Sequence, residues 1–484
     1  MTAALATGPA NRAAGFIPGP TSSPGRLLPR PARRSWWIDV VALAAWASLL
    51  AVVVLWERGG GLQGLVSGTG PALTSLGRLT GLISADLLLL QVLAIARIPV
   101  VERAVGQDRL ARWHRLAGFT SFALLLAHVV LVTFGYAATA GTGVLAQFWS
   151  LVTTAPGMLL AAAGTAALVA VVLTSLRAAR RRLRYESWHL LHLYAYLGAG
   201  LALPHQLWTG ADFLESPAAT AYWWSLWACA AGSVLAFRVV APLLLSARHR
   251  LTVSRVVAEG PDVVAVYLTG RRLESLRVSA GQFFVWRFLT GPGWTRGHPL
   301  SLSAAPTTAG LRVTIGTRGD DGARLASLKP GTRALVEGPY GRLTADVRVK
   351  RRVAAIAAGV GVAPLLALLE ESIARGTDDA APVLVHRARS REGLVHRDDA
   401  DRLRASAGLR VIELVGRRSD VGTPWLPAEY GHIRGPDAPT RLLPDLSERD
   451  VFVCGPAAWS ERVVADLRAA GVAPEAIHLE HFTW

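Results

Sequence analysis

Cysteine is nearly absent. Cys229 and Cys454 are the only two in 484 residues. Two cannot supply a four-cysteine iron–sulfur site or a disulfide framework. Acid is scarce as well: 34 Asp and Glu stand against 51 Lys and Arg, a net charge of +17. Charged residues make up 18% of the chain and apolar ones 51%, with a mean hydropathy of +0.34. Disorder, a collagen-like repeat and an ordinary cytosolic enzyme all fit that composition poorly. There is no internal repeat, no calcium loop of spaced carboxylates and no acid–base dyad worth naming. No apolar run precedes Arg26, so a cleaved signal peptide is not expected. A basic excess has two common sources, nucleic-acid binding or the basic cytoplasmic loops of a membrane protein. Here the basic residues cluster between long apolar runs, so the expected partner is a lipid bilayer and not a nucleic acid.

The apolar runs lie at roughly 36–56, 79–99, 114–136, 153–176, 186–205 and 222–245. Each is close to the about 20 residues that a span needs. The segments between them alternate in charge. Arg12, Arg26, Arg30, Arg33 and Arg34 precede the first run. Arg97, Arg103, Arg109 and Arg112 follow the second, and Arg177, Arg180, Arg181, Arg182 and Arg184 follow the fourth. The intervening loops hold one arginine at most, Arg58. The positive-inside rule places both termini in the cytoplasm of a multi-pass plasma-membrane protein. Residues 1–35, rich in Pro, Gly, Ala and Arg without periodicity, read as a disordered cytoplasmic tail, and 36–246 as a six-span membrane domain.

Ionisable residues within spans are rare and point to function. His114 and His128 in the third run are fourteen residues apart, and His192 and His205 in the fifth are thirteen apart. Fourteen residues is nearly four helical turns, so each pair shares a face at two heights separated by about 20 Å. Both runs cross from inside to outside. His114 therefore matches His192 at the inner depth, and His128 matches His205 at the outer depth. Facing imidazoles can grip a haem iron from both sides, and two stacked bis-histidine haems of the b type would form an electron path across the bilayer. An interfacial His114 or a span-capping His205 explains either residue singly, but not two pairs matched in spacing and depth. His189, three residues before His192, competes for the inner position; the spacing favours His192. Arg238, within the last apolar run, wants a counter-charge, and a haem propionate or snorkelling to the interface would satisfy it.

After His249 the pattern changes. Alternating runs such as 262–268, separated by turn residues, predict an antiparallel barrel over 247–347. From Arg351 onward, buried strand-like runs at 353–357, 382–386, 409–414 and 450–454 alternate with helical segments, which predicts an α/β domain with a parallel sheet over 348–484.

The motifs in this half carry a resemblance. Gly297-His298-Pro299-Leu300-Ser301 resembles the flavin motif of NADPH oxidases and ferric reductases, a variant of the Arg-x-Tyr-Ser motif of ferredoxin–NADP reductases. The resemblance implies that Ser301 hydrogen-bonds the flavin N5 region and that His298 contacts the flavin or its phosphate. It also has Leu300, in place of an aromatic, packing against the ring. Thr317-Arg318-Gly319-Asp320-Asp321-Gly322 resembles the segment that opens a helix on the FAD pyrophosphate. Ala323 takes the family's hydroxyl position, so only backbone contacts would survive there. Gly338-Pro339-Tyr340-Gly341 is similar to the family's turn between the two soluble subdomains. Gly359-Val360-Gly361 with Pro364, between a strand and a helix, looks like its nicotinamide-nucleotide loop. In the family, a loop like Arg387-Ala388-Arg389 holds the adenosine 2′-phosphate; a solvated basic loop is the other reading. Cys454-Gly455-Pro456 resembles the motif beside the nicotinamide. The C-terminal Phe482 or Trp484 would stack on the isoalloxazine, as a terminal aromatic does in these reductases.

The whole is thus expected to be a multi-domain membrane protein of the ferric reductase/NADPH oxidase superfamily. Its fold would be a six-helix transmembrane haem bundle, then an antiparallel β-barrel FAD domain and an α/β nucleotide-binding domain. NADPH, with NADH possible, would reduce FAD near Ser301, Cys454 and Phe482. Electrons would pass through two haems to a small-molecule acceptor outside, a ferric chelate or, alternatively, dioxygen. Readings of another class are a membrane half without haem that merely anchors a flavin reductase for a cytoplasmic partner, or one whose histidines form a proton path.

Overall fold

The computed structural model describes residues 36–176, 185–210, 213, 216–376, 378, 380–420 and 422–480. The expectations for the N-terminal tail, for the arginines at 177–184 and for Phe482 and Trp484 lie outside the described residues.

The first half is helical: α1 (Trp37–Arg58), α2 (Thr69–Ile95), α3 (Gln107–Ala140), α4 (Met158–Ser175), α5 (Tyr185–Trp208) and α6 (Pro217–His249). Five of these, α1–α4 and α6, are long and apolar enough to cross a membrane. The fifth sequence run forms α5, a 24-residue helix containing His189, His192, His205 and Pro204. Its polar content lowers its hydropathy, because the residues that break the apolar run are the ones singled out above for chemistry. Ser216 caps α6 by accepting from the Ala219 amide, and Pro217 opens the helix, as helix N-termini favour. A π-helical turn at Leu235–Val240 interrupts α6 before its last nine residues. Leu43, Trp46, Leu116 and Leu159 stand exposed on the helices, and lipid would cover such side chains.

Helices α2 and α3 pack along their length, as do α4 and α5. At Gly164 on α4, an added Cβ would meet the Gly198 carbonyl of α5 at 2.6 Å. Small residues thus bring these two backbones together.

Among the described residues the second half holds three sheets, two of them antiparallel. Strands β1 (Thr252–Gly260), β2 (Val263–Thr269) and β5 (Leu311–Gly316) form one antiparallel sheet in the order β1-β2-β5. Strands β3 (Phe283–Phe288), β4 (His298–Ser301) and β6 (Ala334–Tyr340) form another in the order β4-β3-β6. Among the described residues the expected barrel is these two sheets, joined by single bridges at Thr252–Arg333 and Leu302–Val313 and not by a continuous ladder. They share a core of Val266, Phe284, Trp286, Phe288 and Val313. Helix α7 (Gly319–Ala326) follows β5.

The last unit is a five-stranded parallel sheet of order β11-β10-β7-β8-β9. Its strands are β7 (Arg352–Ala358), β8 (Val383–Ala388), β9 (Arg410–Val415), β10 (Arg449–Cys454) and β11 (Ile477–Leu479). Helices α8 (Val362–Arg375), α9 (Arg397–Ala407) and α10 (Ala457–Ala469) connect them. β8 and β10 are buried along their whole length, as a sheet covered on both faces requires. The chain runs outward through β7, β8 and β9, then returns to place β10 on the other side of β7. That reversal is a topological switch point, where open α/β sheets take ligands at their carboxyl ends.

Candidate functional site

The membrane histidines meet in pairs. The rings of His114 on α3 and His192 on α5 have centroids 5.9 Å apart and planes at 69°. Those of His128 and His205 are 6.4 Å apart at 48°. An imidazole–metal bond of about 2 Å on each side, plus roughly 1 Å from nitrogen to ring centre, puts two rings on one iron about 6 Å apart. Each of the four Nδ1 atoms already has a protein partner. His114 Nδ1 meets the Gln91 carbonyl at 3.1 Å and His128 Nδ1 the Gly77 carbonyl at 2.8 Å. His192 Nδ1 faces the Ser175 hydroxyl at 3.4 Å and His205 Nδ1 the Thr209 hydroxyl at 2.6 Å. Engaging Nδ1 fixes the ring and leaves Nε2 as the atom that a metal would take, the usual second-shell arrangement of metal-bound histidine. Among the described residues no group of three or more His, Cys, Asp or Glu is placed to hold a metal ion. Two facing imidazoles per site would suit a metal whose remaining ligands come from a macrocycle, so the residues present fit haem, which His114 with His192 and His128 with His205 would hold.

Arg238 finds a counter-charge that the sequence reading did not name. Its Nη1 lies 2.8 Å from Oε1 of Glu337, a buried carboxylate on β6. The counter-charge comes from the soluble half, so neither a propionate nor snorkelling is required.

The flavin motif lies on β4, at the edge of its sheet. Register pairs Ser301 with Phe283 and Leu300 with Phe284. Alternation therefore sends Ser301 and Pro299 to the outer face and Leu300 to the inner one, where it packs against the core. Leu300 thus does not present its side chain with Ser301, contrary to the sequence reading. The Ser301 Oγ is buried without a hydrogen-bond partner, and such a group calls for a ligand. Arg324 Nη2 donates to His298 Nε2 at 3.1 Å, while its Nε and Nη1 are buried without hydrogen bonds. Arg296 binds Asp321 at 2.7 Å beside them. Burial holds the His298 imidazole below its ordinary range; Asp321 opposes this and Arg324, Arg296 and Arg287 add to it. The result is a neutral acceptor for Arg324 in an electropositive setting suited to a pyrophosphate. Arg324, inside α7, and Arg296, just before β4, were given no role by the sequence reading, which followed the motif glycines. At Gly322 an added Cβ would strike the Gly316 carbonyl at 2.6 Å, so glycine lets α7 turn tightly off β5. Arg318 instead pairs with Asp262 at 2.8 Å with its side chain 81% exposed, which turns it away from such a role. The Ser301 hydroxyl and Arg324 Nη1, both buried without a hydrogen bond, fit FAD, while Arg324 Nε lies 3.8 Å from Asp321.

The nucleotide residues assemble at the switch point. Gly359–Gly361 forms the turn between β7 and α8, with Gly359 at φ +55°. A Cβ on Gly361 would lie 2.6 Å from the Cys454 carbonyl, so the loop closes on Cys454-Gly455-Pro456 at the end of β10. Pro364 is buried in the first turn of α8. Burial, reinforced by Glu480, pushes the Cys454 thiol up, and it stays a neutral S–H. Arg387 contradicts its assignment. It is 7% exposed, and its Nη1 donates to the Ala388 and Leu414 carbonyls. Only Arg389 of that pair is exposed.

The profile of the family described as "Ferric reductase like transmembrane component" matches residues 80–203, which contain His114, His128 and His192 and end two residues before His205. The chain is similar to the ferredoxin–NAD(+) reductase component of an alkene monooxygenase system from Xanthobacter autotrophicus, 31% identical over 207 residues, 42% of this chain and 61% of that one. It is also similar to the ferredoxin reductase component of a 3-ketosteroid-9-alpha-monooxygenase from Mycolicibacterium smegmatis, 27% identical over 241 residues, 48% of this chain and 65% of that one. The chain thus spans less than two thirds of the length of either relative. Among solved structures, an Amycolatopsis cytochrome P450 reductase superposes with a TM-score of 0.40 at 24% identity, covering 49% of this chain and 70% of the other. The chain thus matches a ferric reductase-like transmembrane component over residues 80–203 and is similar, over 42–48% of its length, to the ferredoxin reductase components of two monooxygenase systems.

Proposed function

We propose that this protein carries electrons from cytoplasmic NADPH through FAD and two b-type haems to an acceptor on the outer face, a ferric chelate in the first instance. The observation that carries the reading is the double pair His114–His192 and His128–His205, each with both Nδ1 atoms engaged. When bound, flavin converts hydride to single-electron chemistry and haem iron carries single electrons. The protein's own part is positioning. Gly77 and Gln91 carbonyls aim two imidazoles from α2, and Ser175 and Thr209 aim the other two. Arg324 and Arg296 neutralise the flavin pyrophosphate, and Ser301 orients the ring. Gly359, Gly361 and Gly455 let the nicotinamide nucleotide approach the backbone, with Cys454 as an uncharged neighbour. Six spans, plasma-membrane placement and cytoplasmic termini belong to the same proposal.

The test is NADPH-driven reduction in sealed vesicles of known orientation. An impermeant ferric chelate and a superoxide probe are compared in the outer compartment. Chelate reduction there supports the first acceptor, and superoxide alone supports an oxidase. The names of the reductase relatives favour a second reading, in which the soluble half serves a protein acceptor on the cytoplasmic side. Reduction confined to that side, by a protein without b-type absorbance, would establish it instead.

A further inference from the structure

β6 is held by two separate elements of the membrane half. On one side, Ser246 near the end of α6 accepts from the Val336 amide at 2.9 Å. Two turns earlier, Arg238 binds Glu337 at 2.8 Å. On the other side, the segment joining α2 to α3 presents Arg97, whose guanidinium carbon lies 4.0 Å above the centre of the Tyr340 ring. Arg97 is buried, binds Glu102 at 3.2 Å and holds φ at +65°. A left-handed backbone is uncommon for a residue with a side chain, and it persists where the surroundings impose it. The two sides are joined, because the Tyr340 hydroxyl donates to Glu337 Oε1 at 3.0 Å. Burial, with Glu337 adding to it, pushes the Tyr340 phenol up, so the donor keeps its proton. Arg287 on β3 reaches the second oxygen of Glu337 at 3.5 Å. Glu337 is 4% exposed, and the chain Glu102–Arg97–Tyr340–Glu337–Arg238 runs through it.

Resting on the reading of the previous section, we propose that Glu337 is a positioning residue that locks the flavin sheet onto the cytoplasmic ends of the membrane helices and thereby sets electron delivery into the His114–His192 pair. The physical reason lies in the sheet's geometry. Register pairs Glu337 with Val285 on the central strand, and Phe283 with both Ser301 and Tyr340. The outer face that displays Ser301 is therefore the face that Glu337 and Tyr340 pin to the membrane half. Electron tunnelling falls exponentially with separation, so play at this joint slows transfer without altering either centre. Buried charged networks of this kind hold one geometry when complete and loosen when one member is lost. Glu337 touches neither reacting group in this scheme; it acts through Arg238 and Tyr340.

The test uses the full-length protein in lipid nanodiscs, mixed anaerobically with NADPH, with flavin and haem absorbance followed separately. Glu337→Gln and Arg238→Gln are expected to leave the flavin phase within about twofold of wild type and to slow the haem phase by about tenfold or more, as small misplacements do elsewhere. Glu337→Asp, which keeps the charge, should recover part of the rate. Tyr340→Phe, which keeps the ring under Arg97, should fall between. Amide hydrogen exchange at 94–106 and 238–249 should quicken in Glu337→Gln. An unchanged haem phase overturns the proposal, and so do two phases slowed in parallel, which would place Glu337 in the flavin site. Should the wild-type chain bind no haem, the electron-transfer reading fails by itself. Hydrogen exchange then still decides the docking role, and unchanged exchange in Glu337→Gln refutes it.

Discussion

Ser84 and Ser121 exchange hydrogen bonds, each hydroxyl donating to the other's main-chain carbonyl at 2.7 and 2.8 Å. Both are buried. Ser121 stands midway in sequence between His114 and His128, so the pair ties α2 to α3 between the two histidine levels. Above and below it, α2 carbonyls reach α3 imidazoles, Gly77 to His128 and Gln91 to His114. The contact of these two helices is thus the jig that orients half of the proposed ligand set.

Gly81 tests that jig. An added Cβ there would lie 2.5 Å from His128 Nδ1. Gly81→Ala is expected to swing the His128 ring off the Gly77 carbonyl and weaken haem binding at the outer pair by roughly 10–100-fold, the usual cost of losing a second-shell partner. The inner pair should be untouched. A redox titration of the purified variant should then show one b-type component in place of two. Two components at wild-type potentials would mean that the ring does not need this space.

His189 and His192 can be separated by substitution. The His114 ring lies 5.9 Å from that of His192, and Trp188 stacks on His192 at 5.1 Å. His192→Ala should remove the inner haem, with the outer one and flavin reduction retained. His189→Ala should keep two haems. A reversed pattern in the reduced spectra would transfer the inner ligand to His189.

Much of this arrangement was legible because it follows from period and spacing. A helix converts fourteen residues into one face at two heights, so the paired histidines could be read before any contact was known. The parallel sheet showed through its continuous apolar runs for a similar reason. What stayed hidden depends on register or on partners distant in the chain. Leu300 and Ser301 are neighbours in one motif, yet the pleat of β4 sends them to opposite faces, and a motif does not state which face is buried. Arg238 gave a correct alarm, a charge in an apolar run, but Glu337 lies 99 positions away. Asp86 passed unnoticed within α2. It is fully buried and bonded by Ser48 and Tyr222 from α1 and α6, a junction of three helices that no local pattern announces.

The two arginines of the basic loop should behave differently. Arg389 is exposed beyond β8, whereas Arg387 spends its guanidinium on the Ala388 and Leu414 carbonyls. Arg389→Ala is expected to raise KM for NADPH by about tenfold, the worth of one charge-assisted hydrogen bond, and to leave NADH kinetics unchanged. Arg387→Ala should instead destabilise the domain by about 1 kcal/mol, the net worth of a lost hydrogen bond, since the Ala388 carbonyl keeps the Gly416 amide, with cofactor preference intact. Steady-state kinetics with both cofactors, alongside thermal unfolding, separates the two. A shift in preference from Arg387→Ala would return that residue to the 2′-phosphate.

His386 makes the nucleotide domain sensitive to acid. It is buried on β8, where its Nε2 lies 3.3 Å from the Gly359 carbonyl. Burial drives its pKa down to about 4; the Gly359 carbonyl opposes this and His396 adds to it. An unfolded histidine titrates near 6.5. Between these values the unfolded chain binds a proton that the folded chain refuses, so stability falls as pH falls through that window. At 1.36 kcal/mol per pH unit the loss reaches about 3 kcal/mol near pH 4 and then levels off. The effect should concentrate where His386 meets the Gly359 turn. Hydrogen-exchange protection of β7 and β8 amides, after correction for the intrinsic exchange rate, should drop between pH 6.5 and 4.5 in the wild type and hold in His386→Gln, which keeps a donor for Gly359 but cannot titrate. Equal losses in both proteins would assign the acid sensitivity to other groups, and the Gly359 turn would then owe nothing to this histidine's charge state.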